Sequence, residues 1–177
     1  MIRGIDIVPY DPQWPAEFAA EAERLAGALG PLALRIEHNG STAVPGLDAK
    51  PIIDIQISVA SLDPLTIYRE RLGAVGYVHV PHQDDAFCPF FHRPAEWPHT
   101  HHVHLVVMGG SEEQRTLAFR DYLRDHPDTA REYRRVKQDL AARHGGRDGG
   151  SREAYSVAKS AFVERTVALA LNAGYPR

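Results

Sequence analysis

Residues 38–59 join a glycine-serine bend to a strand of alternating character, and that pairing dictates how the flanking chain must be layered. Successive side chains in a strand point to opposite faces. Ile53, Ile55, Ile57 and Val59 therefore share a continuously apolar face, while Ile52, Asp54, Gln56 and Ser58 share a mostly polar one. Aspartate is depleted in strands, and a half-buried carboxylate requires a partner or a cation. One side of this strand belongs against a core, and the other presents Asp54 and Gln56. Upstream, Gly40 and Ser41 open a flexible loop that Lys50 closes. These are parts suited to holding a phosphate and a divalent cation.

The chain has 177 residues, which suits one domain over 1–177, and its 44% hydrophobic share suffices for one core. The net charge of −3 gives no basic excess to draw it to nucleic acid or an anionic membrane. A lone cysteine, Cys88, rules out an internal disulfide framework and a multi-cysteine zinc site, and its apolar setting reads as a small core residue. No apolar run approaches the ~20 residues of a membrane span, and the N-terminus shows no signal-peptide pattern, so the expected location is the cytoplasm.

Periodicity and turn residues predict helices over 15–28, from Asp63-Pro64 to Gly76, from Ser111 to about Asp125, from Pro127 to Gly145-Gly146, and over 151–172. Ser111 with Gln114 has the form of a capping box. Strands are predicted over 34–38, 52–59, 77–80, 86–92 and 100–107; Pro89 places the fourth near a sheet edge. A glycine-rich turn containing Asp148 leads into the last helix. The fold class is α+β: a mixed β-sheet flanked by helices, with a helical C-terminal third from about residue 111.

A second cluster consists of His99, His101, His102 and His104. In a strand, Val103, Leu105 and Val107 take the apolar face, and His102 and His104 the other. Were this strand a neighbour of the first in register, Asp54, His102 and His104 would converge as a three-ligand metal site with open positions. The competing reading is a pair of solvated histidines. The Arg131, Arg134, Arg135 and Lys137 helix also carries Glu132 and Asp139, and reads as a solvated face rather than an RNA contact.

Several blocks give the chain a family resemblance over nearly its whole length. They are Tyr10-Asp11-Pro12-x-Trp14-Pro15, His38-x-Gly40-Ser41-Thr42-Ala43-Val44-Pro45-Gly46-Leu47, Lys50-Pro51-x-Ile53-Asp54-Ile55 and His101-His102-x-His104. Phe119-Arg120-Asp121-Tyr122-Leu123-Arg124, Lys137 and Tyr155-x-x-x-Lys159-x-x-Phe162 complete the set. The chain resembles the GrpB family of the nucleotidyltransferase superfamily. That resemblance implies a nucleotidyltransferase-like fold and a Gly-Ser turn followed by a strand with two acids one position apart, which hold divalent metal against nucleotide phosphates. Asp54 matches the first acid, but position 56 is glutamine, a poor bridging ligand, and imidazole suits zinc better than magnesium. GrpB-like domains also resemble an extra domain of some dephospho-CoA kinases, which points to a nucleotide-related role.

The resulting expectation is a metal-assisted nucleotidyltransferase acting on a nucleotide or other phosphate-containing small molecule, with Mg, Mn or Zn as cofactor. Gly40, Ser41 and Thr42 would contact phosphate, Lys50 would offset negative charge, and Asp54, His102 and His104 would hold the cation. His38 would orient phosphate or carry a proton, and Arg120, Tyr155 and Lys159 would close the site. Two alternatives stand beside it. One is a catalytically degenerate module binding a nucleotide or phosphometabolite. The other is a His/Asp metal-dependent hydrolase.

Overall fold

The computed structural model describes residues 6–144 and 149–177. The turn expected at Gly145-Gly146 and Asp148 lies outside the described residues. Helix α1 (Trp14–Leu29) leads to strand β1 (Arg35–Asn39), then β2 (Ile53–Val59), α2 (Leu65–Gly73), β3 (Val78–Val80), β4 (Phe90–Arg93) and β5 (His101–Val107). Three helices follow: α3 (Ser111–Asp125), α4 (Pro127–His144) and α5 (Gly149–Asn172). The five strands form one sheet in the order β1-β2-β5-β4-β3. Among the described residues, only the β2–β5 pair of strands is parallel; the other three pairs are antiparallel.

The apolar face of β2 is buried as its alternation requires. Ile53, Ile55, Ile57 and Val59 join Phe91, Val103 and Leu105 from β4 and β5 beneath α1 and α2. Helix α1 reaches that face because Trp14, Leu25 and Leu29 recur at helical spacing. Each fully buried aliphatic side chain here contributes roughly 1.5–3 kcal/mol, so the layer is anchored before any polar contact is considered. Helices α3, α4 and α5 pack against one another as a separate layer. A second apolar cluster, of Val44, Leu47, Leu123, Tyr133 and Phe162, ties the loop after Gly40 to that layer. Among the described residues, no helix is long and apolar enough to cross a membrane.

Two local expectations are corrected. The fourth strand starts only at Phe90, behind a short 3-10 turn over Gln83–Ala86, and it lies inside the sheet between β5 and β3. Pro89 stands before the strand and contributes only its carbonyl, which accepts the Leu105 N–H at 3.0 Å, so the missing proline donor disturbs no ladder bond. At α3 the N-cap is Gly110, not Ser111, and no side chain caps it. The Glu113 carboxylate takes the Gly109 N–H instead, at 2.6 Å, while also accepting from the Ser58 hydroxyl and pairing with Arg35. A buried acid needed by three donors thus displaces the local serine cap.

Candidate functional site

The polar face of the sheet carries two aligned rows. Register places Asn39, Asp54, His102 and His92 side by side across β1, β2, β5 and β4. The next row runs Glu37, Gln56, His104, Phe90 and Val80. The expected convergence of Asp54 with His102 and His104 on one face is therefore present. Above these rows lies a cleft of about 600 Å³, within the range of small-molecule sites. Its walls come from the loop at Gly40, Ser41, Thr42 and Lys50, from Lys137 on α4, and from Tyr155 and Lys159 on α5.

Gly40 has φ +66, a left-handed conformation. Its lack of a side chain matters more: a Cβ built there would lie 2.3 Å from Asp54 Oδ2. The chain then makes a 3-10 turn over Ser41–Ala43. His38 fixes this turn from below. Its Nε2 lies 2.9 Å from Thr42 Oγ1, and the Thr42 hydroxyl donates to Ile52 O at 3.4 Å. Thr42 therefore accepts from His38, which sets the Nε2–H tautomer. The His38 ring stacks on Phe18 of α1, and burial, together with the Arg124 and Arg120 charges, lowers its pKa to about 4 against the pull of Asp54.

His38 and Arg120 are separated from the cleft. His38 shares its strand face with Ile36, away from Asn39, and is buried under α1. The buried Arg120 donates to Glu37 at 2.6 Å, to Asp121 at 2.7 Å and to His38 O at 3.0 Å. It joins α3 to β1, and its guanidinium is occupied there. His38 supports the loop through Thr42 from the α1 side of the sheet, Arg120 braces β1 from α3 on the other side, and neither lines the cleft.

The expected metal triad does not assemble. Among the described residues, no three His, Cys, Asp or Glu groups are placed to hold one ion. Asp54 Oδ1 instead faces His102 Nδ1 at 3.3 Å, and His102 Nε2 faces His99 Nδ1 at 3.2 Å. His99 in turn stacks on His92 with ring centroids 3.8 Å apart. His104 Nδ1 points to Cys88 Sγ at 3.8 Å, and burial lowers its pKa to about 4 despite Asp54. Burial pushes the Asp54 carboxyl up, but the bond to His102 and the neighbouring positive charges outweigh it and hold its pKa below the ordinary value. The imidazoles thus face neighbours in the fold rather than a common point. Gln56 offers no second carboxylate, so a two-cation arrangement does not fit this floor. A single cation shared between Asp54 and a ligand's own phosphates is compatible with it.

Lysines supply the charge on the opposite wall. Lys50 Nζ lies 4.3 Å and Lys159 Nζ 5.7 Å from the centroid of the buried Tyr155 ring. Lys137, expected on a solvated face, is only 3% exposed and lines the cleft. Its ammonium donates to Asp48 O and lies 4.7 Å from the Tyr133 ring centroid. Burial, reinforced by the Lys159 charge, lowers its pKa to about 7. A signal for it was available in the sequence: Tyr133-x-x-x-Lys137 repeats the spacing of Tyr155-x-x-x-Lys159. Cys88 also differs from expectation. It is half-buried in the cleft wall, and burial with the nearby Glu112 and Asp84 pushes its thiol up to about 12.

The profile of the GrpB protein family matches residues 4–168. The chain belongs to the GrpB family. It is 45% identical over 172 residues to UPF0157 protein PA4798 of Pseudomonas aeruginosa, covering 96% of this chain and 69% of that one. It is also 35% identical over 164 residues to a dephospho-CoA kinase of Mycobacterium tuberculosis, covering 79% of this chain but 40% of the kinase. The crystal structure of the conserved protein GrpB from Enterococcus faecalis superposes with a TM-score of 0.84 at 32% identity, covering 94% of this chain and 98% of that one. The fold extends further. The GLD-2/RNP-8 complex gives a TM-score of 0.55 at 13% identity, covering 84% of this chain and 58% of the other. Cid1 with its short product ApU gives 0.52 at 19% identity, covering 76% and 43%. This GrpB-family chain therefore has the nucleotidyltransferase-like mixed sheet that its glycine-serine loop and Asp54 strand suggested.

Proposed function

We propose that this protein binds a nucleotide or related phosphometabolite in the cleft above β2 and β5, on a nucleotidyltransferase fold that has lost the second acid of the strand. The observation that carries this reading is the gathering of Lys50, Lys137 and Lys159 around a floor on which the half-buried Asp54 is the strand carboxylate lining the cleft. Lys50 and Lys159, joined by Lys137 when it is protonated, face the cleft from the side away from Asp84 and Glu112 near Cys88, and together favour a multiply charged anion. The turn at Gly40 and Ser41 offers a close backbone approach for phosphate oxygens. The match to part of chains named dephospho-CoA kinase accords with a phosphorylated nucleotide ligand.

One observation favours a second reading, in which the protein transfers a nucleotidyl group. Asp54 is about one-third exposed in the cleft and is held in its ionised form. One cation between it and the nucleotide would neutralise charge on the reacting phosphate. Calorimetric titration of ATP, with and without magnesium, tests the first reading. We expect Lys50→Ala combined with Lys159→Ala to weaken binding more than tenfold, and unchanged affinity would refute it. Release of pyrophosphate from labelled nucleotide, abolished by Asp54→Asn with binding retained, would establish the second.

A further inference from the structure

We infer that the β3–β4 end of the cleft is a nucleobase subsite, in which an amino-bearing base lies against Phe87 and Phe90 and directs its N–H groups to the carboxylates of Asp84 and Glu112. This assignment deepens the nucleotide-binding reading and rests on it.

The cleft is chemically two-ended. Lys50, Lys137 and Lys159 line one side. The opposite end is lined by Val80, Asp84, Phe87, Cys88 and Phe90 from the β3–β4 corner and by Glu112 from α3. Residues 80–90 include no lysine or arginine, so that corner adds no permanent cation for a phosphate to seek. A cleft of about 600 Å³ has room beyond a phosphate chain. Register puts Gln56, His104 and Phe90 in one row, with Phe90 two strands away from β2. Neighbouring strands lie roughly 4.8 Å apart, which sets Phe90 about 10 Å from the strand that carries Asp54. The ribose of a single nucleotide bridges such an interval, with phosphates at the lysines and the base at the phenylalanines.

The walls of that end suit a flat, uncharged ring. Phe87 is 50% exposed and lines the cleft. An exposed ring on an outer surface is ordinary, but this one borders a site whose other end attracts charge. Phe90 beside it packs on His102 and His104, with ring centroids 4.9 and 5.1 Å away, which fixes its orientation. The Cys88 thiol stays protonated, because burial and the nearby Glu112 and Asp84 push it up to about 12.

The two acids select the edge of the base. Asp84 meets His82 at 3.3 Å and Glu112 meets Arg115 at 3.3 Å, each through one oxygen. An ionised carboxylate only accepts, and it has lone pairs for further donors. An exocyclic amino group supplies such donors. A carbonyl in its place would set lone pairs against lone pairs. Adenine and cytosine are therefore preferred to hypoxanthine and uracil.

The test is calorimetry on the full chain, in chelator, with tripolyphosphate, ATP, ITP, CTP and UTP, and a thermal melt of each variant to confirm its fold. Phe87→Leu should weaken ATP about fivefold or more, the low end of what one base stacked on an aromatic ring contributes, and tripolyphosphate by less than about twofold. Phe87→Tyr keeps the flat ring and should recover most of that loss. The unaltered protein should prefer ATP to ITP and CTP to UTP by about tenfold or more, as a hydrogen bond to a charged group predicts. Asp84→Asn combined with Glu112→Gln should erase both preferences, because a carboxamide also donates. If Phe87→Leu weakens ATP and tripolyphosphate alike, or leaves ATP binding unchanged, the subsite is overturned and the phosphate reading stands. Equal affinity within both nucleotide pairs overturns the contact to the acids. Failure of the unaltered protein to bind either tripolyphosphate or ATP overturns the subsite and the nucleotide-binding reading together.

Discussion

Gly40 and Asp54 occupy each other's space: the carboxylate oxygen of Asp54 lies 2.3 Å from where a Gly40 Cβ would be. The two are joined through the antiparallel β1–β2 ladder, in which Asn39 stands opposite Asp54. The bend of the loop and the position of the acid are consequently one feature. A loop of ordinary residues would push the carboxylate off the floor and away from His102.

Gly40→Ala should therefore do more than strain the loop. The positive φ alone costs on the order of 1–2 kcal/mol for a residue with a Cβ, and the collision adds to it. We expect urea denaturation to show a loss above about 2 kcal/mol. In an Asp54→Gly background, which removes the colliding atoms, the same substitution should cost clearly less. Equal costs in the two backgrounds would show that the two residues are not coupled.

Lys137 should give phosphate binding a pH dependence near neutrality. Its folded pKa of about 7 lies below the ordinary lysine value, so the unfolded chain binds more protons between about pH 7 and 10.5. In the absence of ligand, stability rises with pH across that window. Phosphate favours the ammonium form, so affinity should fall as pH rises through about 7, with proton uptake on binding at pH 8. Calorimetry in two buffers of different ionisation enthalpy measures that uptake. Lys137→Met should abolish it, and persistent uptake would assign it elsewhere.

His38 and His104 predict acid sensitivity. Both have folded pKa values near 4, lowered from 6.5. Their neutral forms are therefore the folded ones, and stability is full above about pH 6.5 and declines as pH falls toward 4. His38→Gln keeps a donor for Thr42 but removes the titrating ring. Its urea-unfolding free energy should change less between pH 7 and 5 than that of the unaltered protein, and an identical change would mean that His38 does not titrate there.

Glu21 anchors α1 to the far end of the sheet. It is buried, accepts from the Tyr77 hydroxyl at 2.9 Å and from Arg93 at 3.1 Å, and pairs with Arg24 at 2.8 Å. Glu21→Ala strands the Arg93 charge and the Tyr77 hydroxyl, and should cost about 3–5 kcal/mol. Tyr77→Phe should cost only about 1 kcal/mol. A thermal melt in which the two variants behave alike would contradict this ordering.

The fold was legible wherever local pattern and tertiary demand agreed. The alternation in 52–59 named the buried face of β2, and the Gly30, Gly76 and Pro127 breaks bounded helices near their observed ends. Errors arose where distant partners decided. The serine cap of α3 gave way to Glu113 because Arg35 and Ser58 also needed that acid. Lys137 looked solvated because its helix carries several arginines, yet its side chain runs into the cleft between Asp48 and Tyr133.

The sequence by itself determined the glycine-serine bend, the polar face of the first strand with Asp54 and that of the last with His102 and His104, because a period of two is a property of neighbouring residues. That the two strands pair in parallel and align these faces was decided by the tertiary structure. Only the tertiary structure decided that the imidazoles face neighbours in the fold rather than converge on a metal, that His38 and Arg120 lie outside the cleft, and that Lys137 lines it. Those outcomes depend on which side chains from remote strands and helices come within hydrogen-bonding reach, and residue order along one strand does not encode that reach.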